Sequence, residues 1–154
     1  MEIERKWLVA AAPAGMTTAG QHIRQGYVAR DGNVEVRVRI VDTTSLLTIK
    51  VGAGLARREV ELEIGADEAG ELWPATEGRR IEKVRYRVPV GDHVAEVDVY
   101  DGALAGLQTV EVEFASEADA GSFVAPVWFG DEVTGDGRWS NASLAANGKP
   151  EGAR

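Results

Sequence analysis

The chain predicts a mainly β domain, an antiparallel sheet able to close into a barrel with a few short helices attached. Three observations carry this. Apolar and charged residues alternate strictly in short segments, as in half-buried strands. Gly, Pro, Asp and Asn punctuate those segments at turn spacing. The stretches with helical period between them are short.

Taken in order, the strands are expected at 2–9, 21–29, 34–41, 46–51, 57–64, 81–88, 94–100 and 108–114. Helices are expected at 67–73, ending before Pro74, at 116–124 with Ser116 as N-cap, and at 140–147 with Ser140 as N-cap. Eight strands packed into about 115 residues suit a meander that closes on itself. Gly52-Ala53-Gly54 resembles a phosphate loop only superficially. It joins two strands and no helix follows to present its N-terminus, so a hairpin turn is expected. No repeat or linker divides the chain, which reads as one domain over 1–147 with a flexible tail at 148–154.

With 154 residues, 44% of them hydrophobic, the chain is long enough to bury a core without disulfide or metal staples. The absence of cysteine excludes disulfides, thiolate zinc sites and thiol catalysis. A net charge of -8 disfavours nucleic acid and acidic membranes as partners. No apolar run has membrane-spanning length and the charged start is no signal peptide, so a cytoplasmic location is expected. The Asn141-Ala142-Ser143 sequon is then a chance match.

The charged faces are the informative part. Glu2, Glu4 and Lys6 share one side of the first strand, the pattern of a hard cation held beside an anion. Glu35, Arg37 and Arg39 oppose Val34, Val36, Val38 and Ile40. Lys50 follows Thr48, while Arg57, Glu59, Glu61 and Glu63 oppose Val60, Leu62 and Ile64. Lys83, Arg85 and Arg87 oppose Val84, Tyr86 and Val88. Glu96 and Asp98, then Glu111 and Glu113, continue the pattern. Two barrels satisfy this alternation: one with charges in water, and one with charges turned inward. The near absence of Ser, Asn and Gln from these rows, and the repeated carboxylate pairs at i, i+2, favour a surface made for a polyanion bridged by metal ions. His22, beside a loop, and His93, in the Gly91-Asp92-His93 turn, are poor nucleophiles, and His93 is expected to be exposed.

Several segments together resemble the CYTH superfamily of triphosphate tunnel metalloenzymes, in its short bacterial inorganic-triphosphatase form. They are Glu2-Ile3-Glu4-Arg5-Lys6, Arg24-Gln25-Gly26-Tyr27, Glu35-Val36-Arg37-Val38-Arg39, Leu47-Thr48-Ile49-Lys50 and Glu59-Val60-Glu61. Thr76-Glu77-Gly78-Arg79-Arg80-Ile81-Glu82-Lys83, Glu96-Val97-Asp98, Glu111-Val112-Glu113 and Phe129-Gly130-Asp131-Glu132-Val133-Thr134 complete the set, which runs nearly end to end. Trp139 departs from the tyrosine more common before the last helix in relatives, a change that bears on packing at that end.

The resemblance implies an eight-stranded antiparallel closed barrel whose interior is a charged tunnel, with helices over parts of an apolar exterior. It implies metal-dependent hydrolysis of tripolyphosphate to pyrophosphate and phosphate. Glu2 and Glu4 would bind one Mg2+ or Mn2+. Glu59, Glu61, Glu111 and Glu113 remain for a second, with Asp98 and Glu96 beside them. Lys6, Arg37, Arg39, Lys50, Lys83 and Arg85 would grip the substrate. Lys6 and Tyr27 would form a pair assisting proton transfer, with Lys83 a further catalytic group; a packed Tyr27 with a satisfied hydroxyl is the competing reading. The same tunnel would suit a class IV type adenylate cyclase, a thiamine triphosphatase or a non-catalytic polyphosphate- or nucleotide-binding module. The expected partner is a small polyphosphate, not nucleic acid or membrane, and the chain would work as a monomer or homodimer.

Overall fold

The structure is a computed structural model that describes residues 1–11, 13, 16 and 19–151, so the last three residues of the expected tail lie outside the described residues. Among the described residues nine strands form: β1 (Glu2–Val9), β2 (Gln21–Asp31), β3 (Val34–Val41), β4 (Thr44–Val51), β5 (Ala56–Ile64), β6 (Arg80–Val90), β7 (His93–Tyr100), β8 (Gln108–Glu113) and β9 (Phe129–Glu132). The helices are α1 (Ala66–Leu72), α2 (Glu117–Ser122) and α3 (Asn141–Asn147), with 3-10 turns at Trp73–Thr76, Gly102–Leu104 and Gly137–Trp139.

Eight strands close a ring, and all its pairings are antiparallel. Its order is β5-β4-β3-β2-β6-β7-β8-β1, and β1 pairs β5 to complete it. The ring is not one meander. Strands β2 to β5 form one and β6 to β8 another. The chain over α1 and the following 3-10 turn returns β6 to the side of β2, and β1 fills the gap between β5 and β8. Strand β1 serves three neighbours: Glu2 and Ile3 pair with Arg57 and Ala56, Glu4 to Leu8 pair with β8, and Trp7 and Val9 pair with β9. The four-residue β9 escapes sequence reading because it has no room for alternation; pairing with β1 makes it a strand. At Gly130 an added Cβ would lie 2.9 Å from the Leu8 carbonyl oxygen, so the close approach of β9 requires glycine.

The apolar faces point outward and are partly covered. Trp7, Val88, Ala95, Val97, Val110, Val112 and Phe114 pack beneath Ala120, Phe123 and Phe129, which α2 and the segment after it supply. Ring centroids of Trp7 and Phe129 lie 4.8 Å apart in a tilted pair and those of Phe114 and Phe123 lie 5.3 Å apart edge to face, distances that favour aromatic contact. His93 sits edge-on between Phe114 and Phe123, with Nε2 3.2 Å from the Asp119 carboxylate; the exposed turn histidine expected from sequence is thus a packing residue of β7. A second cluster of Ile81, Tyr100, Leu104, Leu107, Val133, Trp139 and Leu144 packs α3 and the turn before it against the ring. Outside β4 and β5 the cover stops, leaving Val51, Val60 and Leu62 exposed.

The caps form as their residue types dictate. Ser116 Oγ accepts the Asp119 N–H at 3.0 Å and Ser140 Oγ accepts the Ser143 N–H at 3.1 Å, so both expected N-caps hold. At α1 the Gly65 N–H donates to the Glu68 carboxylate at 2.9 Å. Among the described residues no helix is long and apolar enough to cross a membrane.

Candidate active site

The polar faces turn inward around a cavity of about 310 Å³. Glu2, Glu4 and Lys6 of β1, Glu35, Arg37 and Arg39 of β3, Lys50 of β4, and Arg57, Glu59 and Glu61 of β5 line it. Arg85 of β6, Glu96 of β7, and Glu111 and Glu113 of β8 complete the wall. Strand alternation explains why so many charges converge: closing the ring makes one face of each strand an interior face, and the residues every second position must meet. The turns at Gly32–Asn33 and Gly52–Gly54 and the segment from Thr134 to Asn141 also border the cavity. The Gly52-Ala53-Gly54 segment is a strand-to-strand connection, with Gly52 at φ 112° and Gly54 at φ 80°, conformations glycine adopts without a Cβ penalty.

Opposite charges cross-link the strands, some of them across an intervening strand. Lys50 Nζ donates to Glu2 Oε1 at 2.9 Å and lies 3.9 Å from Glu59 Oε1. Arg37 lies 3.6 Å from Glu59, and Arg57 lies 3.3 Å from Glu35. Arg85 holds Asp98 and reaches Glu96 at 3.4 Å. Lys6 Nζ donates to the Trp139 carbonyl at 2.7 Å and stands 3.8 Å from Glu111. Trp139 is buried, so its backbone joins the site while its ring fills the second apolar cluster.

These pairings leave charge uncompensated. Arg39 makes no ion pair among the described residues; its Nε donates to Gln25 Oε1 at 3.0 Å. Burial, with Arg37 and Arg85 nearby, lowers Arg39 to about 10, so it stays protonated at neutral pH. The buried Nε of Arg37 has no hydrogen-bond partner. On the acidic side, burial and then repulsion from Glu111 hold the Glu4 carboxyl well above the usual range. Burial pushes Glu2 up, but Lys50 and a hydrogen bond with Glu59 together leave it lowered. Burial opposes ionisation of Glu111 too, yet Lys6 and Arg85 bring it down to about 2. Burial and the Glu2 charge raise Glu113. A buried guanidinium with an unpartnered Nε beside crowded carboxylates is costly as it stands, and an anion accompanied by a hard cation would satisfy both.

Most residues anticipated from sequence come together here: Glu2, Glu4, Lys6, Tyr27, Arg37, Arg39, Lys50, Glu59, Glu61, Arg85, Glu111 and Glu113 all line the cavity. Lys83 and Asp98 do not. Both are fully buried behind the wall, where Lys83 Nζ lies 2.8 Å from Asp98 Oδ2. Arg85 takes both Asp98 oxygens at 2.8 and 3.0 Å, so the carboxylate expected as a metal ligand is here engaged by two cations. Of the expected Lys6–Tyr27 pair, the ammonium bonds the Trp139 carbonyl at 2.7 Å and the Tyr27 hydroxyl accepts from Gln25 Nε2 at 2.7 Å.

Sequence reading missed Arg30, Gln25 and the site role of Arg57. A bulge in β2 between Tyr27 and Ala29 shifts the parity of the strand, so Arg30 pairs with Glu35 and borders the cavity, a position simple alternation would deny it. Gln25 carries no charge and so escaped the charged-row pattern. Arg57 was visible as the first member of its row.

A closed antiparallel ring with a lumen of arginine, lysine and glutamate defines a tunnel-type β protein suited to a polyanion. No family model matches the chain. It is 47% identical over 147 residues to an inorganic triphosphatase of Nitrosomonas europaea, covering 94% of this chain and 96% of that protein. It is 37% identical over 148 residues to an inorganic triphosphatase of Acetivibrio thermocellus, covering 95% and 94%. The crystal structure of the inorganic triphosphatase NE1496 superposes with a TM-score of 0.73 at 42% identity, covering 97% of each chain. The chain belongs to the inorganic triphosphatase family.

Proposed function

We propose that this protein is a metal-dependent triphosphatase that hydrolyses tripolyphosphate to pyrophosphate and phosphate inside its tunnel, as the CYTH-type reading implies. The observation that carries the proposal is the pair Arg37 and Arg39: a buried and a half-buried cation facing the cavity, the first with an unpartnered Nε and the second without a carboxylate among the described residues. Guanidinium forks match phosphate oxygens and keep their charge at any physiological pH. With Lys50 and Arg85 on flanking strands, they would neutralise a chain of phosphates along the lumen.

A divalent cation fits the donor set. The carboxylates of Glu2, Glu4, Glu111 and Glu113 are oxygen ligands in one cavity, and Glu4 and Glu111 repel each other there. Among the described residues, however, no three acidic or imidazole groups already stand in a metal-holding arrangement. Glu2, Glu4, Glu111 and Glu113 would hold Mg2+ or Mn2+, with Glu59 and Glu61 in reserve, and the ion would supply charge neutralisation and water activation. Hydrolysis adds water to the terminal phosphorus and breaks its bond to the bridging oxygen, so the electron pair leaves with pyrophosphate. Arg37, Arg39 and Arg85 would offset the charge that gathers on the oxygens. Lys6, held by the Trp139 carbonyl, supplies an ammonium beside Glu111. Lys83 acts at one remove, through the Asp98 anchor of Arg85.

The net charge of -8 supports a small-molecule substrate over nucleic acid or membrane. On this reading the protein works as a monomer or homodimer in the cytoplasm. The test is phosphate release from tripolyphosphate, pyrophosphate, ATP and thiamine triphosphate with Mg2+ or Mn2+. Release from tripolyphosphate that chelation abolishes is expected. Tight binding without release would instead favour a polyphosphate-binding module.

A further inference from the structure

Gln25 is fully buried on β2, yet it touches two residues of the cavity wall. Its Oε1 accepts from Arg39 Nε at 3.0 Å and its Nε2 donates to Tyr27 Oη at 2.7 Å. A guanidinium can only donate, so the amide oxygen must face Arg39 and the amide nitrogen must face Tyr27. That fixes the hydroxyl as acceptor toward Gln25. Its own proton is then left for another acceptor, and none among the described residues is bonded to it. Tyr27 lines the cavity, so the free direction of that O–H is the lumen.

The backbone holds this relay in place. Tyr27 N–H donates to the Arg79 carbonyl at 3.0 Å. At Gly26 a Cβ would lie 2.5 Å from the Thr76 side chain, so only glycine lets the 3-10 turn seat against β2 between Gln25 and Tyr27.

We infer that Gln25 is a positioning residue that sets the polarity of an Arg39–Gln25–Tyr27 chain, making Tyr27 a hydrogen-bond donor to a phosphate oxygen in the tunnel. This rests on the proposed triphosphatase reading. No proton is transferred: the tyrosine keeps its hydrogen and shares it with the anion, most strongly when charge builds on that oxygen.

Gln25→Glu tests the polarity with little change of shape. Its carboxylate accepts from both neighbours, so the Tyr27 proton turns away from the lumen. The expected result on tripolyphosphate is a kcat at least tenfold lower with KM changed less than threefold. Partial recovery toward acidic pH is also expected, where the introduced carboxyl gains a proton to donate. Tyr27→Phe should match that loss, and the double variant should lose no more than either single. Independent, multiplying losses, or a Gln25→Glu enzyme with wild-type kcat, would overturn the inference. If Gln25→Glu does not fold, Gln25→Met enters the same cycle with Tyr27→Phe and is judged by the same non-additivity. A wild-type protein that releases no phosphate would overturn the triphosphatase reading instead, so the two failures are distinct.

Discussion

Arg85 and Asp98 form a buried two-pronged pair, Nε to Oδ1 at 2.8 Å and Nη2 to Oδ2 at 3.0 Å. Asp98 is out of reach of the lumen while Arg85 lines it, so the carboxylate works through the guanidinium it orients. Burial alone would raise Asp98, but Arg85 and Lys83 hold it far below the usual carboxylate range. Burial likewise opposes the charge on Arg85, and Asp98 more than offsets it.

Asp98→Asn should therefore be destabilising, because it leaves two buried cations without their counter-charge. A loss of about 3–5 kcal/mol in urea unfolding is expected for breaking a pair of this kind. The loss of aim at Arg85 should lower kcat/KM on tripolyphosphate as well. Unchanged stability and activity would show that the pair is incidental.

Lys83 makes a pH prediction. Burial lowers it to about 7 from the ordinary 10.5, although Asp98 pulls the other way. The unfolded chain therefore binds more protons across that interval, and stability should rise with pH between the two values. The contribution is present above the unfolded value and lost as pH falls through the folded one. In Lys83→Met, which fills similar space without titrating, this part of the slope should vanish. Urea midpoints at pH 7 and pH 9 for both proteins would reveal it, and parallel shifts would argue against it.

Glu4→Gln separates stability from function. The half-buried carboxylate stands beside Glu111 and Glu2, so its removal relieves repulsion in the metal-free protein. Thermal unfolding in chelator should occur at a higher temperature than wild type, while Mg2+-dependent phosphate release should fall at least tenfold. A variant that loses both stability and activity would point to a structural role for the carboxylate.

Arg39→Lys keeps the charge but loses the planar fork and the Nε that engages Gln25. It should not rescue Arg39→Ala, and each should lower kcat/KM by roughly a hundredfold, about 2.7 kcal/mol of transition-state stabilisation. Wild-type kinetics in Arg39→Lys would reduce the residue to a point charge.

ATP should be a poor substrate that yields ADP and phosphate. Turns rich in small residues, Gly32 and Asn33 with Gly52, Ala53 and Gly54, border the cavity and offer no apolar platform for a base. Cyclisation needs the ribose held so that its 3′-hydroxyl meets the α-phosphorus. Chromatography of the products decides: cyclic AMP with pyrophosphate would promote the cyclase.

The sequence by itself determined the eight strands of the ring, the caps at Ser116 and Ser140, and the inventory of inward charges such as Glu2, Glu4, Arg37 and Arg39. Those are local properties, since alternation and capping are set by residues two or three apart. Which face turned inward was settled by closure of the ring, because period-two alternation is the same whichever side meets water. The tertiary structure alone decided that β1 closes the ring against β5 while its far end pairs β9, and that the β2 bulge swings Arg30 to the cavity. It also set Lys83 and Asp98 behind the wall and made uncharged Gln25 the link between Arg39 and Tyr27. Each of these depends on contacts between residues distant in the chain, or on a one-residue change of register, and neither leaves a trace in local periodicity.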